Sequence, residues 1–352
     1  QMALARTKGS LFVAVLFVSV IFGAATGIVG ASVTILGIMS AKTMNRAGYD
    51  VQLAAGTITA GGTLGILIPP SIMLVVMGPI LNVPVTDLFA AAIMPGLMLA
   101  VLYTGYTLIR CHLNPSLGPV VPDDLIPDSM NEVWVEFFKG LVPPVLLVGS
   151  SLGSILAGLA TPTEGAAMGA VGAIFLTLAY RKLNFKVFQE ALLKTLEITT
   201  LIMILVCASN FFGSVFSRLG TPTMITEALM VLDLPPTAIL LIVMALIFLL
   251  AWPLEWVPIV LIIIPIVLPL IEQLGFNLTW FGILVAVNLQ TAWLSPPVAL
   301  SAYFLKGVAP DWDLSDIYKG MMQFMAIQVV GLALIIIFPQ IVLWLPTYLY
   351  GN

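Results

Sequence analysis

Apolar sequence fills this chain in runs near 11–44, 51–80, 88–110, 140–180, 197–215, 236–272, 278–305 and 321–347. One helical crossing of a bilayer takes about 20 apolar residues. Several runs are too long for one crossing and too short or too broken for two ordinary ones. Only 9% of residues are charged, against roughly a quarter in a soluble domain. The chain therefore reads as an all-α polytopic membrane protein. Its 29 glycines and 24 prolines are many for a plain bundle and fit helices interrupted within the membrane.

The interruptions recur. Pro69-Pro70, inside GTLGILIPPSIML, is echoed by Pro296-Pro297 in TAWLSPPVALSAY, 227 residues later. The same offset lays Gly48-Tyr49-Asp50 on Gly275-Phe276-Asn277, so glycine meets glycine, aromatic meets aromatic, and a carboxylate meets its amide. Charge then suggests which way each copy faces. The unit at 11–46 has Arg6 and Lys8 at one foot and Lys42 and Arg46 at the other. The counterpart at 236–273 has Asp233 and Glu272 at its feet and no basic residue. Positive charge marks the cytoplasmic side, so the first unit enters from the cytoplasm and the second from outside. The expected fold is an inverted-topology repeat with two re-entrant helical hairpins and two broken transmembrane helices, the pattern of secondary transporters.

The expected organisation follows from this pairing. A first repeat over 1–110 holds the hairpin 11–46, the broken helix 51–80 and a helix at 88–110. A cytoplasmic linker covers 111–133. A second repeat over 134–352 holds helices within 140–180 and at 197–215, the hairpin 236–273, the broken helix 278–305 and a last helix at 321–347. Arg218 sits awkwardly in this scheme, at the outer end of 197–215.

The breaks carry the chemistry. Proline lacks an N–H and its ring displaces the carbonyl four residues back. Pro69 and Pro70 thus free the carbonyls of Gly65 and Ile66, and Pro296 and Pro297 those of Ala292 and Trp293. A bare carbonyl in hydrocarbon costs several kcal/mol, and a hard cation such as sodium is a fitting partner. Thr63 and Ser71 stand beside the first break, and Gln290, Thr291 and Ser295 beside the second. The first hairpin is interrupted at GAATGIVGAS, with Thr26 and Ser32, and the second at AWPLEWVPIV, with Glu255 between Pro253 and Pro258. An acid inside an apolar segment is a functional-site candidate. Tips of re-entrant hairpins present helix N-termini, which favour anions, and helix C-termini, which favour cations. Thr26, Ser32, Ser71, Glu255 and Ser295 are accordingly the candidate solute-binding residues. In Thr161-Pro162-Thr163-Glu164 a capping box, with Thr161 as N-cap and Glu164 as its acid, stands beside a direct role at the site.

Other classes lack their signatures. One histidine, His112, leaves no multi-histidine metal site, and Cys111 and Cys207 have no metal-ligand spacing. An intramembrane enzyme needs a catalytic set such as His-Glu-x-x-His or Gly-x-Ser-x-Gly. A channel or non-transporting scaffold lacks reason to gather polar groups at four breaks. An ATP-driven pump needs a phosphate loop. The net charge of −4 does not suit nucleic acid, and no organic cofactor is expected.

MNRAGYD, GTLGILIPPSIMLV, GLATPTEGAAMGA and VNLQTAWLSPPVAL resemble, in order and spacing, the signature segments of the large membrane subunit of TRAP (tripartite ATP-independent periplasmic) transporters. GIVGASVTILG and LVAVNLQTAWLSPPVALSAYFLKGVAP most resemble the mannitol/chloroaromatic-type branch. The resemblance implies sodium-driven, ATP-independent uptake of an organic acid across the bacterial inner membrane by an elevator mechanism. It implies two partners, a small membrane subunit and a periplasmic substrate-binding protein that delivers the acid. It also implies further helices before Gln1, as the abrupt opening of the sequence suggests. One co-transported sodium ion would sit at Thr26, Gly27, Ser32, Thr63 and Gly65, and another at Glu255, Gln290, Thr291 and Ser295. The chain departs from the family pattern in two places: its first tip reads Thr26-Gly27-Ile28, and its second carries Glu255 where an aspartate is usual.

Overall fold

A computed structural model describes residues 7–120, 130–231, 233–296 and 299–351. Helices account for almost all of it, and among the described residues there is no strand. Two helices, α1 (Ser10–Thr26) and α2 (Val29–Arg46), form the first hairpin. The first broken helix follows as α3 (Val51–Leu67) and α4 (Ile72–Leu81), bent by 42° at the proline pair. A long helix, α5 (Val85–Leu113), precedes α6 (Met130–Leu156), α7 (Pro162–Ala179), α8 (Phe185–Arg218) and the short α9 (Thr221–Met230).

The second hairpin descends through α10 (Pro236–Leu250). It returns as a continuous helix Trp256–Gln273, made of a first turn α11 (Trp256–Pro258), a π segment and α12 (Ile264–Gln273). The second broken helix is α13 (Leu278–Leu294) and α14 (Leu300–Val308). Last come α15 (Leu314–Ile337) and α16 (Gln340–Tyr350), so the helix expected over 321–347 is divided at Phe338-Pro339. Pro339 has no N–H to continue the ladder of α15.

Helix length marks the first arm of each hairpin as short for a crossing. Among the described residues, six helices are long and apolar enough to cross a membrane, one of them the return arm Trp256–Gln273 of the second hairpin, and the bent pair α3–α4 makes a seventh. At 1.5 Å per residue, the 17-residue α1 reaches about 26 Å and the 15-residue α10 about 23 Å, short of the roughly 30 Å hydrocarbon core. Both turn back at a tip instead of crossing.

The two copies keep the same register. Leu278–Leu294 begins and ends 227 residues after Val51–Leu67, and Trp256–Gln273 stands in the same relation to Val29–Arg46. The local cause is visible at the helix starts. Gly48 and Gly275 hold φ of 71° and 75°, a left-handed turn that glycine adopts without strain. Two residues on, Asp50 Oδ1 accepts from Leu53 N at 2.8 Å, and Asn277 Oδ1 accepts from Trp280 N at 3.0 Å. Such an N-cap contributes about 1 kcal/mol and fixes where each broken helix starts.

The core is built around α3, whose residues from Leu53 to Leu67 are all buried. It packs against α15, α1 and α2, while α13 packs against α15, α10 and α3. The strand of chain after α5 folds back on the first hairpin, with Gly9 N donating to Gly118 O (2.9 Å) and Asp50 N to Leu117 O (3.0 Å). Residues 121–129 of the expected linker lie outside the described residues. By contrast, α6, α7 and α8 leave their apolar surface bare: 11%, 6% and 0% of their most apolar windows are buried.

Candidate functional site

The two hairpin tips face one another across a cavity of about 260 Å³. One wall is the first tip, Gly27 to Gly30. The opposite wall is the second, Glu255 to Val257. Ile66 and Ile72 from the first break, Trp293, Phe304 and the apolar face of α8 complete the lining. Glu255 is the single ionisable residue in that lining.

Both tips offer unblocked helix N-termini. α2 starts after Ile28 and α11 after Glu255, and neither start has a side-chain cap. The first-turn N–H groups of Val29, Gly30, Trp256 and Val257 have no helical acceptor, and a helix start carries about half a positive charge. Two such ends aimed at one cavity suit an anion. A further donor lies at the second tip: Trp252 Nε1 is buried without an acceptor.

Behind the first tip, helix C-termini meet. Gly23 of α1 and Gly65 of α3 touch backbone to backbone; a Cβ on Gly23 would lie 2.9 Å from Gly65 Cα. Gly27, at φ 61°, closes α1 by donating to Gly23 O at 3.0 Å. Thr26 Oγ1 donates to Phe22 O (2.9 Å) and stands 2.6 Å from Ser32 Oγ. With its proton on Phe22 O, Thr26 accepts from Ser32. One lone pair of Thr26 and two of Ser32 stay open beside Gly65, whose Cβ position is 3.3 Å from Ser32 Oγ. The structure thus joins Thr26, Gly27, Ser32 and Gly65. Thr63 points elsewhere: its hydroxyl donates to Ala60 O (2.8 Å), and its carbonyl accepts from Gln290 Nε2 (2.9 Å).

At the second break, Gln290, Thr291 and Ser295 lie together, fully or almost fully buried. Thr291 Oγ1 donates to Asn288 O (2.5 Å), and Ser295 Oγ reaches Thr291 O (2.7 Å) and Met325 Sδ (2.8 Å). Glu255 is not among their partners. It shares a small recess with Leu289, Ala292 and Trp293, on another face of α13. Pro297, the second proline of that break, lies outside the described residues. Of the five candidate solute-binding residues, Glu255 lines the cavity between the tips, and Thr26, Ser32, Ser71 and Ser295 do not.

Three of the four carbonyls expected to be free are engaged, that of Ala292 by Ser295 N at 3.3 Å. Ser71 Oγ donates to Ile66 O, and Ser301 Oγ donates to Trp293 O. Ile66 and Trp293 are 227 residues apart, so the same carbonyl in each copy takes a serine proton and keeps one lone pair. Ser301 and Gln328 lie outside the residues to which the breaks in the sequence point. Gln328, buried in α15, donates to Gln290 Oε1 (2.6 Å) and Val287 O (3.1 Å) and accepts from Tyr103 OH (3.2 Å). An amide in the middle of the apolar run MAIQVVG is the signal that marks it.

Thr161, Pro162, Thr163 and Glu164 stand apart from this site, at the exposed turn between α6 and α7. Glu164 N donates to Thr161 Oγ1 (3.3 Å) and Thr161 N to Glu164 Oε2 (2.8 Å), a reciprocal capping box with Pro162 at the first helical position.

Comparison with known proteins agrees with this architecture. The family model described as "Tripartite ATP-independent periplasmic transporter, DctM component" matches residues 2–341. The chain is 26% identical over 334 residues to the sialic acid TRAP transporter permease SiaT of Haemophilus influenzae, covering 94% of this chain and 53% of that one. It therefore spans about half the length of that relative. Identity to the C4-dicarboxylate TRAP transporter large permease DctM of Pseudomonas aeruginosa is 29% over 345 residues, with 97% and 78% covered. The crystal structure of the Alcanivorax borkumensis YdaH transporter shares the fold, with a TM-score of 0.67 at 16% identity over 98% of this chain and 84% of that one.

Proposed function

Because the chain belongs to the DctM family of tripartite ATP-independent periplasmic transporters, we propose that it carries out sodium-coupled uptake of an organic acid across the bacterial inner membrane. The acid is delivered by a periplasmic binding protein, and a small membrane subunit holds the carrier in place. One observation carries this reading: two re-entrant tips bring uncapped helix N-termini and one carboxylate, Glu255, to the same cavity.

That arrangement gives coupling a physical basis. An anionic acid is drawn by the helix N-termini and repelled by Glu255. Across a gap of about 6 Å and an effective dielectric near 20, the repulsion is roughly 3 kcal/mol, or about a hundredfold in affinity. Sodium held next to Glu255 removes that penalty, so acid and cation load together. The other ion would use the open lone pairs of Thr26 and Ser32 with the C-terminal ends of α1 and α3. The same division of parts supports an elevator. Hairpins and broken helices form one packed body, while α6 to α8 share little buried surface with it.

The test is reconstitution of the carrier, as the full-length subunit, with its small subunit and binding protein in liposomes. Labelled succinate and N-acetylneuraminate are offered with and without an inward sodium gradient. Uptake is expected to need both the gradient and the binding protein. Uptake that proceeds unchanged without sodium refutes the coupling.

A further inference from the structure

We infer that a second cavity, between α8, α9 and α12, is an outer station that takes the carboxylate of the transported acid on Arg218 before it reaches the tips. This rests on the reading of the chain as a carboxylate carrier. The cavity is about 660 Å³, and its chemistry is opposite to that of the tip cavity.

From α8 it receives Ser209, Asn210, Gly213, Ser214, Ser217 and Arg218. At 3.6 residues per turn, the first five fall on one face, a polar stripe along the C-terminal turns of α8. Arg218 stands in the last turn of α8, where the helix end favours a cation. That position alone does not account for two turns of hydroxyls and an amide beneath it. Among the described residues, no carboxylate forms an ion pair with Arg218. Ser214 Oγ is turned back onto Asn210 O at 2.7 Å. The amide of Asn210 and the hydroxyls of Ser217 and Thr223 remain as donors toward the cavity.

The facing wall, Leu261, Pro265, Ile266 and Pro269, supplies no side-chain donor. Pro265 and Pro269 of α12 lack N–H groups, which takes the α-helical donors from the carbonyls of Leu261 and Pro265, and all three residues line the cavity. With no side-chain donor for a carboxylate on that wall, the acid turns to the guanidinium, whose fork matches its two oxygens. The station also lies on a route. The same helix lines the tip cavity with Ile198, Leu201, Ile202 and Leu205. Leu205 and Ser209 are only about 6 Å apart along the axis.

Charge at the station is read by thiol labelling of the reconstituted complex, in a Cys207→Ser background that carries Ser217→Cys. Relative to their rates with a free thiol in solution, a sulfonate-bearing methanethiosulfonate is expected to gain about tenfold over its trimethylammonium counterpart, since a one-sign cleft concentrates counter-ions by at least that factor. Arg218→Gln is expected to abolish the preference. For the acid that the complex carries, Arg218→Gln should raise KM about tenfold with little change in kcat, and Arg218→Lys should recover part of it. A reagent preference untouched by Arg218→Gln overturns the inference. So does one that follows the phosphatidylglycerol content of the vesicles, which would make the ligand a lipid headgroup. Labelling needs no transport, so a complex that carries no acid would count against the functional reading and leave the charge test to stand or fall on its own.

Discussion

The contact between Gly23 and Gly65 offers the sharpest test of the first ion site. In Gly65→Ala the added Cβ would lie 3.0 Å from Gly23 Cα, 3.3 Å from Gly23 O and 3.3 Å from Ser32 Oγ. Carbon atoms rest at about 3.5–4.0 Å, so α1 and α3 must part by roughly 0.5–1 Å. Two of the three obstacles are backbone and cannot turn aside. Overpacking of this kind costs about 1–3 kcal/mol. The strain falls between the helix ends that hold Thr26 and Ser32. Taken from ion binding, it raises the half-saturating sodium concentration by about 5- to 140-fold, at 1.4 kcal/mol per tenfold. The assay is the sodium dependence of uptake in proteoliposomes. Gly307→Ala, where a Cβ meets nothing within 4 Å, serves as the control. Gly23→Ala should give a similar shift, and the double variant should depart from the sum of the two, because both substitutions crowd the same contact. Wild-type sodium dependence in a well-folded Gly65→Ala carrier would refute the reasoning.

Two further outcomes follow from the site. Glu255→Gln should weaken the sodium dependence of uptake by removing the charge that cation binding offsets, and wild-type dependence in that variant would take Glu255 out of the coupling. Gln328→Leu should lower the thermal midpoint of the purified carrier by the equivalent of about 1–3 kcal/mol, because Gln290 Oε1 and Tyr103 OH each lose a buried partner. An unchanged midpoint would show that the buried network contributes nothing to stability.

What the sequence revealed and what it hid divide along a physical line. Helix starts and breaks are set within a few residues of chain. Asp50 and Asn277 cap their own helices, and Pro69 breaks its own, so the 227-residue spacing could be read directly. Which face of one helix meets which face of another is not local. Glu255 and Gln290 both sit at polar interruptions, yet α13 turns Gln290 toward Thr63 and shows Glu255 a different face. The engagement of Trp293 O depended on Ser301, eight residues away across a break. The network around Gln328 needed the crossing of α3, α5, α13 and α15.

Gln290 is the repeat counterpart of Thr63, and the two touch. In an object with two-fold symmetry, a residue meets its own mate only on the axis. A dimer of identical halves must place the same side chain on both sides there. Two threonines would leave a void, and two glutamines would compete for one volume. Joining the halves in one chain lifts that restriction. A small residue can then lend its carbonyl while a large one fills the space, and the centre of symmetry becomes the place where the two copies are free to differ.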